Sequence, residues 1–252
     1  MESPLSGGAV LRPHLSIALE VAALAASAAR AAGLGIRSEQ GRDIKIDADF
    51  ATDARVHEEL ARRSPIPILS EERPTTAAPD GDRWIVDPVD GSMNFARQIP
   101  FCCVSIALWS GMTPVLGVIH DLSRDDVFSG IVGDGAWLNG EPIHVSDVAD
   151  RSRAILCSGL PTASVHGAAK LNAFLARAEA YKKLRALGSA ALMLAYVACG
   201  RCDAYAEDGV AIWDVAAGLA IVHAAGGRFT IGRSEGRERY DVEATNAVLH
   251  AV

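Results

Sequence analysis

The sequence predicts a layered α and β protein in which an N-terminal α+β half, residues 1–145, packs on a C-terminal α/β half, residues 146–252, as one unit. Three observations lead there. With 252 residues, half of them apolar, the chain is long enough to bury a sizeable core without disulfides or structural metal. Two helical patterns are followed by short apolar runs bounded by Gly, Pro, Asp or Ser, the mark of successive strands. After Pro142 strand and helix patterns alternate, and no linker rich in Pro, Gly or Ser separates the halves.

Residues 14–32 are apolar nearly all round and end at Gly33 and Gly35. Glu20 and Arg30 interrupt the stretch and no basic flank precedes it, so it reads as a packed helix and not as a signal or membrane span. Residues 49–63 place Phe50, Ala54, Val56 and Leu60 at helical spacing, and Pro65 and Pro67 stop the helix. Runs at 66–69, 84–86 and 102–109 predict strands; 115–120 and 127–130 predict a hairpin or meander, closed by Gly133-Asp134-Gly135 and Asn139-Gly140. In the second half 155–158, 183–187 and 228–231 predict strands, and 167–180, 189–199 and 215–225 predict helices.

Composition narrows the function. The 24 basic and 31 acidic side chains leave a net charge of −7, and the basic runs are short, which argues against a nucleic-acid partner. An anionic small molecule would need bound cations or a local field opposing that charge. The five cysteines include the adjacent Cys102 and Cys103 and form no disulfide framework, which points to a reducing, cytoplasmic setting. Cys199 and Cys202 form a lone CxxC without a second pair or a nearby His, and read as small apolar residues at a helix end.

The informative residues are acids at the ends of apolar runs. Ile66-Pro67-Ile68-Leu69 leads into Ser70-Glu71-Glu72, Trp84-Ile85-Val86 into Asp87-Pro88-Val89-Asp90-Gly91-Ser92, and Ile212-Trp213 into Asp214. A carboxylate just after a buried strand is costly unless its charge is offset. The runs are read as offering only acids, with no Lys or Arg nearby in sequence, so cations are expected to supply the balance. Mg2+ suits a donor set of carboxylates and carbonyls, whereas zinc-type His motifs are absent. Taken singly, Asp87 reads equally as a turn residue before Pro88 and Asp214 as a helix N-cap. Gly91 permits close backbone approach, and Ser92 opens a short helical stretch facing an anion, for which phosphate is the natural candidate.

These residues resemble the inositol monophosphatase family, within the larger group of Mg2+-dependent, lithium-sensitive sugar and nucleotide phosphatases. The resemblance rests on Ser70-Glu71-Glu72, on Trp84-Ile-Val-Asp-Pro-Val-Asp-Gly-Ser-Met-Asn-Phe95 and on Trp213-Asp214-Val-Ala-Ala-Gly218, in that order. It extends from about Asp43 to Gly227, through Gly135-Ala-Trp-Leu-Asn-Gly140 and Gly188-Ser189-Ala190. It implies an αβαβα sandwich, a homodimer, and hydrolysis of a small sugar or cyclitol phosphomonoester by a metal-activated water, with about two to three Mg2+ ions per site. By that resemblance Glu71, Asp87 and the Val89 carbonyl hold one ion and Asp87, Asp90 and Asp214 another, with a weaker ion near Glu71. Asp49 pairs with Ser92 to activate the water, with Asp47 as the competing register. Asp90, Gly91, Ser92, Gly188, Ser189, Ala190, Glu207 and Asp214 meet the substrate, and Glu72 orients the ligands. Ser92 stands where Thr is commoner, and by the resemblance residues 33–43 form a loop that in relatives helps carry a mobile segment, where Arg37 only loosely matches the family's Lys.

Rival readings fit less well. Asp47-Ala48-Asp49-Phe50-Ala51 falls short of the D-x-D-x-[TV] of aspartyl-nucleophile phosphatases, and Cys157 is followed six positions later by Ala163 where a cysteine-nucleophile enzyme needs Arg. A non-catalytic sugar-phosphate binder would have little reason to carry the full acid set. Bisphosphate nucleotidase, histidinol-phosphatase and fructose-1,6-bisphosphatase activities use the same ligands. Fifteen positions separate Glu72 from Asp87, a short spacing that favours a compact monoester. Specificity is expected from loops at 160–167 and 207–212.

Overall fold

The apolar N-terminal stretch folds as α1 (Gly8–Ala31) in a computed structural model that describes residues 8–40, 43–73, 80–160 and 168–249. Leu11, Leu15, Ala18, Ala22, Ala25 and Ala29 recur at helical spacing and are buried. Val10–Ala31 is long and apolar enough to cross a bilayer, with mean hydropathy 1.3. Here its buried stripe instead shares a core with the first face of a large sheet.

Residues 33–43, expected as a loop, contain β1 (Ile36–Gln40), which pairs antiparallel with β2 (Asp43–Ile46). Ile-Arg-Ser-Glu-Gln lacks apolar alternation, so the strand carries no pattern of its own and is defined by its partner; residues 41–42 lie outside those described. α2 (Asp47–Arg63) follows and packs beside α1.

A seven-stranded sheet then runs in chain order through β3 (Ile68–Ser70), β4 (Asp82–Asp90), β5 (Cys103–Ser110), β6 (Thr113–Asp121), β7 (Val127–Ile131), β8 (Gly135–Leu138) and β9 (Glu141–Pro142). Only β3 and β4 pair in parallel; the rest form an antiparallel meander, with α3 (Ser92–Ala96) between β4 and β5. On β5 the period of two is visible: Val104, Ile106 and Leu108 face α1 and α2, while Cys103, Ala107 and Trp109 face the other way.

The second half contributes β10 (Ile155–Cys157), α4 (Ala168–Glu179), β11 (Lys183–Arg185), α5 (Ala190–Ala198), β12 (Ala204–Ala211), α6 (Ile212–Ala224), β13 (Arg228–Arg233) and β14 (Arg239–Thr245). Its five strands lie in the order β11-β10-β12-β14-β13. α5 and α6 are apolar all round because they are sandwiched between the two sheets. Gly117 of β6 permits this closeness, since a Cβ there would lie 2.3 Å from the Ala217 carbonyl oxygen of α6. On the outer face Arg177 of α4 reaches Asp208 and Glu243 at 3.3 and 3.7 Å, completing an αβαβα stack.

Two further expectations are corrected. Residues 207–211, expected in a loop, continue β12, whose pairing with β14 shifts between Glu207 and Val210 to absorb Asp208 and Gly209. β14 itself was missed, although Tyr240, Val242 and Ala244 alternate and are buried. Of the loop at 160–167, all beyond Leu160 lies outside the described residues, as does Gly167 at the start of the expected helix.

Candidate active site

The predicted strand at 84–86 proves longer, and the extra length builds the site. β4 continues through Asp87-Pro88-Val89-Asp90. Asp87 lies opposite Ser105 and Asp90 opposite Cys103, so Pro88 and Val89 together face the single residue Val104. This bulge is where a residue without an N–H is tolerated. It also changes direction: residues three apart on a regular strand point to opposite faces, but one inserted residue turns both aspartates to the same side. The chain then leaves through Gly91 at φ 91°, where a Cβ would come 3.0 Å from the Phe101 carbonyl oxygen and 3.1 Å from that of Gly188.

Around this bulge lies a cavity of about 190 Å3 lined by Glu71, Asp87, Val89, Asp90, Gly91, Ser92, Gly188 and Asp214, together with Trp213 and Arg239. Glu71 arrives because β3 runs parallel to β4, with Ser70 in register with Val86. Asp214 is the third residue of α6, where the free N–H groups of the helix favour a carboxylate; the residue preceding the helix is Ala211, so Asp214 is not the N-cap. Asp90 accepts hydrogen bonds from Ser189 Oγ at 2.6 Å and from the Ala191 N–H at 2.7 Å, which fastens the bulge to the start of α5.

Asp49 sits in the first turn of α2, buried, and accepts from the Ile46 N–H at 2.7 Å and from Ser92 Oγ at 2.9 Å. The Val89 carbonyl oxygen is also 2.9 Å from Ser92 Oγ, so the single hydroxyl proton has two acceptors. Asp47 instead turns outward and pairs with Arg37 at 2.5 Å.

Ser189, Ala190 and Glu207 stand behind the cavity lining. Ser189 caps α5 through the Leu192 N–H besides holding Asp90. Glu207 accepts from Tyr205 Oη at 2.9 Å, and a Cβ on Gly159 would lie 2.7 Å from its Oε2.

The charge balance corrects the sequence reading. The expectation of no base nearby fails, since Arg73 directly follows Glu72 and Lys45 of β2 brings Nζ to 2.6 Å from both Glu71 Oε1 and Glu72 Oε1. Asp53 of α2, buried, accepts from Ser70 Oγ at 2.5 Å and from Arg73 Nε, clamping the turn that carries the two glutamates. Neither residue was singled out from sequence. Lys45 had a signal, since it stands between the buried Ile44 and Ile46 on a strand; Asp53 stands one turn after Asp49.

Burial, followed by the charges of Glu71, Asp90 and Asp214, pushes Asp87 well above the usual carboxylate range. Burial and then Asp90 and Glu71 do the same to Asp214. Burial lifts Asp90 to about 6 against its Ser189 and Ala191 donors, Asp49 to about 7 against Ile46 and Ser92, and Glu207 to about 7 against Tyr205. Burial works against the charge of Lys45, but Glu71 and Glu72 outweigh it and hold the ammonium above the ordinary lysine range.

The donors fit a hard divalent cation. Carboxylates and a carbonyl line the cavity, with neither His nor Cys among its described lining residues. Among the described residues no three such side chains meet around a common point.

An αβαβα stack with oxygen donors gathered at a bulged strand end defines a metal-dependent phosphomonoesterase scaffold. The chain belongs to the inositol monophosphatase family, whose profile matches residues 10–251. It is similar to the Nus factor SuhB of Xylella fastidiosa, 40% identical over 193 residues that span 73% of this chain and 68% of that one. The inositol-1-monophosphatase of Synechocystis is 36% identical over 223 residues, 84% of this chain and 76% of that one. Among solved structures, the inositol monophosphatase of Anabaena superposes with a TM-score of 0.79 at 33% identity, covering 94% of this chain and 92% of that one. The suhB protein of Bartonella henselae gives 0.81 at 32% identity, with 92% and 94% covered. The protein is thus a phosphomonoesterase of a family that uses divalent metal.

Proposed function

We propose that this enzyme is Mg2+-dependent and hydrolyses a small sugar or cyclitol phosphate by direct attack of water, without a phosphoenzyme. One observation carries the reading: Glu71, Asp87, Asp90 and Asp214 face one cavity, and burial together with the neighbouring acidic charges raises the pKa values of the three aspartates, so an anionic ester enters only with cations present. Glu71, Asp87 and the Val89 carbonyl would hold one Mg2+, and Asp87, Asp90 and Asp214 a second. The chemistry such ions supply is neutralisation of phosphate charge and a lowered pKa for water.

The chain's own groups do the rest. Asp49 takes the proton of the attacking water through Ser92; its pKa of about 7 suits a general base, and its bond to Ser92 fixes its direction. Asp47 is set aside by its outward ion pair with Arg37. Glu71, on the same cavity, would help align the water. The Gly91 and Ser92 N–H groups meet phosphate, and Asp90 and Gly188 meet substrate hydroxyls. Ser189 and Ala190 act by holding Asp90, and Glu207 stands behind the lining, bonded to Tyr205. A cavity of about 190 Å3 supports a small monoester, being below the roughly 300 Å3 at which pockets for drug-sized ligands begin.

The five cysteines are free thiols, which supports the cytoplasm as the setting; a homodimer rests on the family resemblance and is checked by sedimentation. The deciding experiment is phosphate release with Mg2+ from inositol 1-phosphate, other cyclitol and sugar phosphates, histidinol phosphate, fructose 1,6-bisphosphate and 3′-phosphoadenosine 5′-phosphate. Turnover confined to the small monoesters and abolished by EDTA is expected. Full activity in EDTA would sink the metal reading, and preference for the nucleotide would sink the substrate class.

A further inference from the structure

Lys45 lies on β2 between Ile44 and Ile46, both buried in the core beneath α1 and α2. Strand alternation turns its side chain the other way, toward the acids. The turn after β3 presents both glutamates to it, and Nζ sits 2.6 Å from an oxygen of each. The Lys45 side chain is 22% exposed and that of Glu72 is 5%, so this bridge is largely withdrawn from water. Both ends are anchored. The hairpin is fixed at its base by the Asp47 N–H donating to the Gly35 carbonyl at 2.8 Å and by the Arg37–Asp47 pair, while Asp53 clamps the glutamate turn through Ser70 and Arg73.

An ammonium bridging two carboxylates offsets their charge and fixes their spacing, as a loosely held hard cation would. A divalent ion on the same oxygens would meet that ammonium at hydrogen-bond range, and like charges so close exclude one another. We propose that Lys45 is a tethered cation that takes one ion position on the Glu71–Glu72 pair, so that the cluster fills with one divalent ion fewer than its carboxylates would otherwise hold. This rests on the reading of the cavity as a divalent-metal centre. It makes Lys45 a positioning residue: it sets the metal count and the geometry of Glu71 and touches no reacting atom.

The test counts Mn2+ bound to the full chain by equilibrium dialysis, comparing wild type with Lys45→Met, Lys45→Gln and Lys45→Arg. Either neutral variant that folds, as read by circular dichroism, is expected to gain about one Mn2+ per chain, while Lys45→Arg keeps the wild-type count. Equal counts in the wild type and a folded neutral variant would overturn the inference and leave the metal reading standing. A gain in Lys45→Arg equal to that of the neutral variants would overturn it as well, since charge would not be the cause. Absence of Mn2+ from every protein would overturn the metal reading and this inference together.

Discussion

Glu71 and Glu72 share an ammonium 2.6 Å from each, whereas Asp87, Asp90 and Asp214, on the same cavity or its rim, form no ion pair among the described residues. The glutamates stand on a turn reached by a neighbouring hairpin, and the protein supplies their counter-charge. The aspartates stand on a bulged strand and a helix start, deep between the sheets, where burial and mutual repulsion push their pKa values up. One acidic group is therefore largely settled by folding, and the other is left to be settled by what binds. The second kind is the useful kind for catalysis, because the free energy that folding withholds from it is released when cations and an anionic ester arrive together.

The largest expected effect comes from removing a charge from the unsettled group. Asp87→Asn should lower Mg2+-dependent phosphate release by about a thousandfold or more. The same variant, stripped with EDTA, should unfold at a higher temperature than wild type, because a repelled carboxylate has gone. Near wild-type turnover would break the comparison. Next comes Asp49→Asn, expected to cost about a hundredfold in kcat with Mn2+ stoichiometry unchanged, since Asp49 faces Ser92 and not the aspartate cluster. A lost ion in that variant would move Asp49 into the metal-holding set. Smaller again is Asp53→Asn, which loosens Ser70 and Arg73 around the settled pair; metal affinity should fall by about tenfold, measured by Mg2+ titration of activity.

How much of this was visible in the sequence follows from the same contrast. The acids at Glu71, Asp87, Asp90 and Asp214 were legible because a dense string of carboxylates at the ends of apolar runs has few structural uses. The bulge that aims Asp87 and Asp90 together was not, since it is a property of pairing with β5: Pro88 hints at it, but only the register against Ser105 and Cys103 makes it. Lys45 and Asp53 were obscured for a related reason. Their partners lie 26 and 17 positions or more along the chain, and which side of the hairpin or α2 meets the glutamate turn depends on packing. β14 is a different matter, as its alternation of Tyr240, Val242 and Ala244 was readable. Polar Arg239, Asp241 and Glu243 diluted it.

The smallest and most diagnostic effect concerns pH in the absence of metal. Asp49, Asp87, Asp90, Asp214 and Glu207 all have folded-state pKa values raised by burial above those of an unfolded chain. In the window between, the folded protein binds more protons than the unfolded one, so its stability must fall as pH rises. That contribution is complete below about pH 4 and is lost as pH climbs through about 6 and 7, where Asp90, Asp49 and Glu207 ionise. His57, lowered by burial, acts in the opposite sense below about 6.5. Thermal unfolding of EDTA-treated protein should therefore give a midpoint that declines between about pH 5 and 8, and saturating Mg2+ should flatten the decline because the ions bind the folded carboxylates. Asp87→Asn should flatten it in part without metal. A midpoint that rises with pH in EDTA, or equal slopes in wild type and Asp87→Asn, would show that the aspartates are not left unsettled as described.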